Sequence, residues 1–443
     1  MNQQTTSVTR SYLVLTGLYT LSASLIWGVN TLFLLDAGLS IAQVFFVNAV
    51  FTAAMALFEI PTGVLADTRG RRFSFLLSIA ILFAGTLAYV AVAQTGGSIW
   101  LFGLASVLLG LGFTFYSGAM EAWLVDALNA SGFDGVLDDI FARASMVSAV
   151  AMLIGTVLGG VLGTWNLALP FLVRCALLAI VFLVALLTMR EIGFTPRSTT
   201  WREMPAEMNL VAKNSITYGW RQPSVRLLII ASFFQSIFFA WGFYAWQPYF
   251  LELLGRDAPW VAGVVAALIA LATMAGNYIV QWRSHRGGRR TSLLLSAAVV
   301  GTLAAIGVGL VPSFWLAVSL YLLASLASGV WMPVKQSYMH QFIPSQQRAT
   351  VVSFDSLVSS GGMVIGQVGL GRLSETRSIA AGYVVGGLAT ALAWPVILRL
   401  RRRHDPQDTI VDQAGQDNAC GAQGIPCVAG VDSQAGTAAT NLS

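Results

Sequence analysis

The sequence predicts an all-α membrane protein in which twelve transmembrane helices form two six-helix bundles related by a pseudo-two-fold axis. Three observations support this fold class: a composition poor in charge, twelve long apolar runs, and a short segment that occurs almost unchanged in both halves. Of the 443 residues, 56% are hydrophobic and 10% are charged, whereas a soluble domain carries about 25% charged residues. Most of the surface must therefore face an apolar medium, which a lipid bilayer provides.

Twelve apolar runs have the length that a membrane-spanning helix requires, about 20 residues. The first six runs begin near Tyr12, Ile41, Phe73, Ser98, Ile140 and Leu169. The second six begin near Val225, Trp260, Thr291, Phe314, Thr350 and Ile379. The first run is too long for the apolar core of a cleaved signal peptide, so we expect it to be retained as a span.

These runs divide the chain into five segments. We expect a cytoplasmic N-terminus at residues 1–11, an N-terminal six-helix bundle at 12–190 and a cytoplasmic linker at 191–224. A C-terminal six-helix bundle follows at 225–400, and a cytoplasmic tail at 401–443. The tail is rich in Gly, Ala, Gln and Asp, a composition that buries too little apolar surface to fold, so we predict that it is disordered.

The distribution of Lys and Arg predicts the orientation of the spans. With both termini in the cytoplasm, the cytoplasmic segments hold 20 of the 25 basic residues and the outer loops hold three, while Arg174 and Lys335 lie inside spans. Cytoplasmic loops are enriched in Lys and Arg, so we expect a multi-pass protein of the cell inner (plasma) membrane with both termini inside. Because the basic residues lie in short loops between apolar runs, the net charge of +5 does not indicate nucleic-acid binding.

An internal repeat relates the two halves of the chain. The segments Gly70–Ala80 and Gly288–Ala298 are identical at eight of eleven positions, at an offset of 218 residues. An even number of spans in each half makes the halves parallel repeats. Transporters use such repeats to place a substrate site at the membrane midplane, between two bundles that rock against each other.

The segment between spans two and three resembles the signature of the major facilitator superfamily, G-x-L-x-D-x-x-G-R-[KR]. Its defining positions are occupied by Gly63, Leu65, Asp67, Gly70, Arg71 and Arg72. Together with the span count and the repeat, the resemblance covers residues from about 10 to 403. It implies the twelve-helix fold of that family and secondary active transport by alternating access, driven by a gradient of protons or of another coupling ion, with protons preferred.

The resemblance also implies a role for this segment as a latch between the two bundles when the cytoplasmic side is closed. Gly63 would let a neighbouring helix approach closely, and Asp67 would contact the N-terminal end of span eleven, where the helix dipole favours an anion. Arg71 would pair with Asp126 at the cytoplasmic end of span four. The alternative interpretation is that the arginines only hold the loop in the cytoplasm.

Other parts of the sequence depart from the drug/proton antiporter group of that family. In the second copy of the motif, Gln281 and His285 replace the glycine and the aspartate. Span four has Ser106 where the group carries an arginine. Span five keeps three of the group's glycines for helix packing but lacks its proline; they are Gly155, Gly159 and Gly163. These departures weaken the specific assignment of proton-driven drug export and leave the fold assignment intact.

Four charged residues lie inside spans at similar depth: Glu59, Glu121, Lys335 and Asp355. Charges inside a membrane are expensive and usually functional. The functional interpretation of Glu121 is that it carries the exchangeable proton or binds a cationic group of the substrate, with Lys335 as its partner. Two alternatives stay open: a permanent ion pair, or a carboxylate that remains hydrated near the interface. Glu59 is at least as well suited to gating, and Asp355 to the electrostatics of a helix start.

Aromatic and amide side chains cluster in spans that line the cavity of this fold. An aromatic wall with scattered hydrogen-bonding groups suits a bulky amphiphilic or cationic ligand. The alternative is that tryptophans near span ends form interfacial belts. The candidate cavity residues are Asn30, Tyr116, Gln235, Trp241, Tyr244, Trp331, Gln336 and Tyr338.

No other chemistry is indicated by the sequence. There is no phosphate-binding loop that would signal ATP drive, and the spacing of the three cysteines and three histidines predicts neither a metal site nor a disulfide framework. We therefore expect no cofactor, no enzymatic activity and a monomeric transporter for a small molecule. The preferred function is proton-coupled efflux of a drug-like or small metabolite substrate. Uptake of a small nutrient is the alternative, and a non-transporting receptor or scaffold is the alternative from another class.

Overall fold

The computed structural model describes residues 3–135, 137–195, 220–255, 258–284, 287–343 and 348–410. In the N-terminal half, six spans follow one another as long helices. Their bounds are Gln3–Ser24 with Asn30–Asp36 (span one), Ile41–Arg69 (two), Arg71–Gln94 (three), Ile99–Ser117 with Ala119–Ala130 (four), Leu137–Trp165 (five) and Leu169–Thr188 (six).

The C-terminal half repeats this order. Its spans are Pro223–Leu254 (seven), Pro259–Ser284 (eight), Arg290–Leu310 (nine), Phe314–His340 (ten), Arg348–Thr376 (eleven) and Ile379–Ala391 with Ala393–Arg401 (twelve). Within the described residues, eleven spans are long and apolar enough to cross a membrane. Span one is the remaining one, and it is interrupted at residues 25–29.

Span one begins earlier than the sequence predicts, at Gln3 instead of Tyr12. The segment 1–11, which we expect to be the cytoplasmic N-terminus, is thus helical from Gln3 onward. Thr9 shows why a polar stretch stays helical, because its hydroxyl donates to the carbonyl oxygen of Thr5 at 2.9 Å. Threonine hydroxyls can bond one turn back along a helix, so they need not compete with it.

Each bundle has its own hydrophobic core, and a third apolar cluster joins them. The cluster of the N-terminal bundle includes Phe75, Phe102 and Trp123, all of them fully buried. One cluster of the C-terminal bundle surrounds Tyr338. The other contains Trp241 and Tyr383 from the C-terminal bundle and also Phe45 from span two.

The glycines of span five pack against span one. A Cβ added at Gly155 would meet the hydroxyl of Ser24, one at Gly159 would meet the carbonyl oxygen of Leu25, and one at Gly163 would lie 3.3 Å from Val29. The C-terminal bundle repeats the pattern: Gly362 faces Ser236, and Gly366 faces the carbonyl oxygen of Ile237. Because glycine has no side chain, the two helix backbones can come into direct contact, as they do at small residues in membrane helix pairs.

The first residues of the tail are ordered, contrary to the prediction of disorder from residue 401. Span twelve runs to Arg401, and the strand Thr409–Ile410 pairs antiparallel with Gly288–Arg289. Asp408 accepts hydrogen bonds from the backbone N–H of Thr291 at 2.8 Å and from its hydroxyl at 2.7 Å. Composition did not reveal this because the ordering comes from a helix start 117 residues away. Residues 411–443 lie outside the described part of the chain.

Glu191 has the same function in the N-terminal half. Its carboxylate accepts from the backbone N–H groups of Arg71 at 3.2 Å and of Arg72 at 2.9 Å, at the start of span three. An acid that accepts from these free N–H groups stabilises a helix start. Gly70 has a φ of +108°, and a Cβ there would lie 2.5 Å from the Glu191 carboxylate. The sequence repeat is thus also a repeat of helix capping.

Candidate transport site and gates

The molecule has two faces, which we name by the chain between the bundles. The linker face is the one on which the chain leaves span six at Thr188 and enters span seven at Pro223. The opposite face carries the connections between spans one and two and between spans seven and eight. The motif segment Gly63–Arg72 lies at the linker face, at the end of span two.

The charged residues of the motif form a cluster at the linker face. Arg71 lies 2.5 Å from Asp67, and its Nε lies 3.7 Å from the carboxylate of Asp126. The side chain of Arg72 turns away and donates to the carbonyl oxygen of Leu186 at 2.9 Å. Spans two, three, four and six therefore meet at this cluster. We expect Asp67 to contact the N-terminal end of span eleven, which directly follows residues 344–347. Those four residues lie outside the described part of the chain, and so does His285.

Gly63 does not make the close helix contact that the resemblance implies. A Cβ added there would meet no atom within 4 Å, and Gly63 and Glu59 are both exposed. The expected approach of a neighbouring helix is therefore absent among the residues that the structure describes. The latch role of the motif concerns the other state of the transporter and stays a prediction.

The opposite face is closed by Gln247, a fully buried side chain of span seven. Its amide group donates to the carbonyl oxygen of Trp27 at 2.7 Å, and its oxygen accepts from the backbone N–H of Thr31 at 2.9 Å. These two backbone groups belong to the interruption of span one and its next helix start. The amide from one bundle therefore satisfies backbone groups that the break in the other bundle leaves without helical partners.

Two further contacts close the same face. Between spans two and eleven, a Cβ at Gly371 would lie 2.6 Å from Phe45, and the hydroxyl of Thr52 donates to Gln367 at 3.3 Å. Between spans five and eight, a Cβ at Gly160 would lie 2.7 Å from the Cα of Gly263. Gly160 replaces the proline of the antiporter motif, and in this structure it serves the contact between bundles.

The linker half of the molecule, in contrast, exposes polar side chains from both bundles. Glu59, Glu121 and Gln336 are exposed. Polar and charged groups in a membrane protein face a water-filled cavity or a partner instead of lipid. The exposed polar groups of the linker half therefore favour a cavity that is accessible to water from the linker face and closed by the contacts at the opposite face.

Glu121 lies beside a break in span four. The helix ends at Ser117 and restarts at Ala119, and Glu121 stands in the first turn of the second piece. Tyr12 and Tyr116 are within electrostatic range of its carboxylate. Tyr116 stacks on Tyr19 with ring centroids 3.5 Å apart. An exposed carboxylate at the edge of an aromatic stack can take up a proton from water and contact an organic ligand.

Lys335 is not paired with Glu121 in this structure. Its ammonium group donates to the carboxylate of Asp355 at 2.6 Å, and both side chains are about 8% exposed. The expected partnership with Glu121 is absent because the side chain of Lys335 points to span eleven of its own bundle. Asp355 consequently does more than favour a helix start, since it neutralises a buried ammonium group.

Half of the candidate cavity residues belong to the packed interior. Trp241 and Tyr338 are completely buried, Trp331 is 7% exposed, and Asn30 is engaged with Asn48 at 3.3 Å. Aromatic content could not separate a cavity wall from a core, because both use the same side chains. Of the others, Gln336 is exposed, while Tyr116, Tyr244 and Gln235 are partly buried. The Nε2 of Gln235 is buried without a hydrogen-bond partner.

Sequence reasoning passed over Arg174, which lies in span six and is only 8% exposed. The groups that interact with its charge are Tyr19, Cys175, Tyr244 and Tyr89, with no carboxylate among them. A signal for it was available: a basic residue inside a span, without an acid at similar depth on a neighbouring span. Within the described residues, no cluster of three or more His, Cys, Asp or Glu side chains could hold a metal ion.

Comparisons with known proteins agree with this architecture. The Major Facilitator Superfamily model matches residues 12–367, with a second match over residues 261–419. The chain belongs to the major facilitator superfamily. This membership and the structural neighbours confirm the predicted twelve-helix fold and make the protein a multi-pass secondary transporter.

One curated superfamily member is similar along almost its whole length. It is described as an uncharacterized MFS-type transporter of Bacillus subtilis (strain 168), with 24% identity over 88% of this chain and 94% of its own. The solved structure of the nucleoside transporter NupG has a TM-score of 0.73 at 12% identity and covers 91% of this chain and 100% of its own. A bacterial homolog of the human lysosomal transporter Spinster, solved in an inward-facing conformation, has a TM-score of 0.70 at 16% identity, over 91% and 98%.

Proposed function

We propose that this protein is a proton-coupled transporter that exports a small organic metabolite, with Glu121 as the proton-carrying group. The observation that carries the proposal is the position of Glu121. Its carboxylate is exposed in the linker half, follows a helix break, and lies within electrostatic range of Tyr12 and Tyr116. A group that couples transport to protons must be reachable from water in one state and must adjoin the substrate site.

The linker face is the cytoplasmic face in this proposal. It gathers 20 of the 25 basic residues, and such enrichment marks the cytoplasmic side of membrane proteins. The conformation with the opposite face closed is then open to the cytoplasm, like the inward-facing structure of the Spinster homolog. A substrate enters from the cytoplasm, and the linker face closes when Gly63 of span two approaches the C-terminal bundle.

Lys335 and Asp355 neutralise each other inside the C-terminal bundle in this mechanism. Their charges lie 2.6 Å apart and are almost completely buried, so neither is available to exchange protons with the cavity. Among the ion pairs of the described residues, none includes Glu121. A carboxylate without a fixed cation can change its protonation between the two states. Protonation of a carboxylate in a buried ion pair would instead leave the partner cation buried without a counter-charge, which is costly.

Export is the direction implied by the resemblance of spans two and four, including Tyr116 through Asp126, to bacterial efflux permeases. The test uses inside-out membrane vesicles that contain the protein. The vesicles are energised, the pH gradient is recorded with a quenching dye, and small organic anions, lipophilic cations and neutral metabolites are added in turn. We expect members of one class to dissipate the gradient with wild-type protein and to have no effect with Glu121→Gln.

The matched control is Glu252→Gln. This substitution removes an exposed carboxylate at the end of span seven that lies on the opposite face. This variant should respond like the wild type. A response of Glu121→Gln equal to that of wild type would remove Glu121 from the mechanism. Absence of any response, with uptake of a labelled nutrient into right-side-out vesicles, would replace export by uptake.

A further inference from the structure

Within the described residues, Arg174 is a buried cation without an ion-pair partner. The residue is 8% exposed, and its Nε is buried without a hydrogen-bond acceptor. In the described part of the chain, the guanidinium group makes no ion pair, and the groups within its electrostatic range are three tyrosines and Cys175. A buried charge without a counter-charge is strongly destabilising, and charges inside a membrane are retained for function.

The position of Arg174 is at the seam between the bundles. Tyr19 and Tyr89 belong to spans one and three of its own bundle, whereas Tyr244 reaches it from span seven. The backbone of Tyr244 is held there by Thr31, whose hydroxyl donates to its carbonyl oxygen at 3.0 Å. Two of the three tyrosines around the guanidinium group therefore belong to the N-terminal bundle, and the third, Tyr244, belongs to the C-terminal bundle. The group lies toward the closed, opposite face.

The hydroxyl groups of the three tyrosines differ in their hydrogen bonding. Tyr89 shares a hydrogen bond of 2.5 Å with Ser106. Within the described residues, the hydroxyls of Tyr19 and Tyr244 make no hydrogen bond. The ring of Tyr19 stacks on Tyr116, which extends the site toward Glu121. The site thus offers a planar cation, two free hydroxyl donors and an aromatic surface.

We propose that Arg174 binds the oxyanion group of the substrate, so that the transported compound is a small organic anion with a carboxylate or phosphate group. The planar guanidinium fork matches both groups through paired N–H donors. Tyr19 and Tyr244 donate to the same oxygens, and the Tyr19–Tyr116 stack contacts the organic part. The inference rests on the proposed transport function, and it replaces the cationic or amphiphilic ligand that the aromatic content of the sequence favours.

Binding is tested without any gradient, by the thermal unfolding of purified protein in detergent. The probes are benzoate, succinate and glucose 6-phosphate, each beside its neutral methyl ester or parent sugar, together with inorganic phosphate. We expect at least one organic anion, and not its neutral partner, to raise the unfolding temperature of the wild type. Arg174→Gln should weaken that binding by about 100-fold or more, and Arg174→Lys, which keeps the charge but loses the fork, by a smaller factor.

The control is Arg377→Gln, which removes an exposed arginine at the opposite face and should bind like the wild type. Equal stabilisation of wild type and Arg174→Gln by the anion would overturn the inference, as would stabilisation of the wild type by neutral probes alone. Stabilisation by inorganic phosphate without any organic anion would show an inorganic anion site and would also overturn it. If Arg174→Gln does not fold, Arg174→Lys takes its place in the comparison, and binding of the anion by Arg174→Lys as tightly as by the wild type would then overturn the inference.

The two proposals can fail separately. Proton-coupled transport of a neutral compound, unchanged in Arg174→Gln, would keep the proposed function and remove the anion site. Anion binding that Arg174→Gln abolishes, without any proton-coupled transport in vesicles, would keep the anion site and remove the proposed function.

Discussion

Lys335 and Asp355 show what a buried charge requires at the scale of a residue. The two groups lie 2.6 Å apart, and each side chain is about 8% exposed. Removing two charges from water is costly, and their attraction offsets that cost only while both are present. The pair is therefore sensitive to loss of one partner and tolerant of loss of both.

Asp355→Asn should destabilise the protein by about 3–5 kcal/mol, because it leaves the ammonium group of Lys335 buried without a counter-charge. The measurement is the free energy of unfolding of purified protein in detergent. The double variant Lys335→Met with Asp355→Leu should recover most of the loss. A double variant no more stable than Asp355→Asn would contradict the account, since it would mean that the charges themselves hold the bundle.

The sequence predicts which charges lie inside spans but not how they pair. Counting residues from a span end gives the depth of Lys335 and Glu121, since a helix rises 1.5 Å per residue. It does not give the direction of each side chain around its helix axis relative to the neighbouring spans. Lys335 points to span eleven, and Arg174 points to the seam, for reasons of packing that depth alone cannot supply.

At the scale of the helix, glycine spacing decides which spans pack closely. Gly362 and Gly366 of span eleven meet span seven as Gly155 and Gly159 of span five meet span one. The spacing in span five is visible in the sequence, because its glycines recur every four residues. Span eleven contains glycines on several faces, so its packing stripe could not be distinguished without the structure.

Gly366→Ala should destabilise the C-terminal bundle by about 1–3 kcal/mol, because the added methyl group overpacks the contact with the backbone of span seven. A Cβ at that position meets the carbonyl oxygen of Ile237. The measurement is the stability of the purified protein in detergent, read as the loss of monodisperse protein on heating.

The matched control is Gly369→Ala in the same helix, where a Cβ meets no atom within 4 Å. It should leave the free energy of unfolding unchanged or raise it by up to about 1 kcal/mol, since alanine is the better helix former. Equal destabilisation by both substitutions would show that the effect is not one of packing.

The interruptions of spans one and four were beyond prediction for a related reason. Span one breaks at residues 25–29, and Gln247 from span seven binds one backbone group inside that break and one at the helix start that follows it. The side chain that compensates the break lies about 220 residues along the chain. Local propensity can locate a span, but it carries no information about such a distant partner.

At the scale of the molecule, the sequence predicts the two bundles and their repeat because these follow from hydropathy and from copied residues. The structure adds that Glu191 and Asp408 cap spans three and nine in equivalent ways. The conformational state could not be predicted. Alternating access requires one sequence to stabilise two arrangements of nearly equal free energy, so the pattern of residues is compatible with both.

Gln247 should hold the opposite face closed. Gln247→Leu removes two hydrogen bonds and leaves the N–H of Thr31 and the carbonyl oxygen of Trp27 without partners while that face is closed. Once the face opens, water satisfies both groups, so the substitution should destabilise the closed state selectively, by about 2–4 kcal/mol. Ala262, which is 2% exposed and lies against Gly28 in this interface, reports the change when it is replaced by cysteine in a variant without the native cysteines.

Labelling of Ala262→Cys by a polar maleimide, with the protein in lipid nanodiscs, should therefore become at least tenfold faster when Gln247→Leu is added. This rate follows the population of the open face, because each 1.4 kcal/mol changes an equilibrium by a factor of ten. Gln94→Leu, a substitution at an exposed glutamine near the same face, should leave the rate unchanged. An unchanged rate with Gln247→Leu would show that the glycine and aromatic contacts between the bundles keep this face closed without the buried amide.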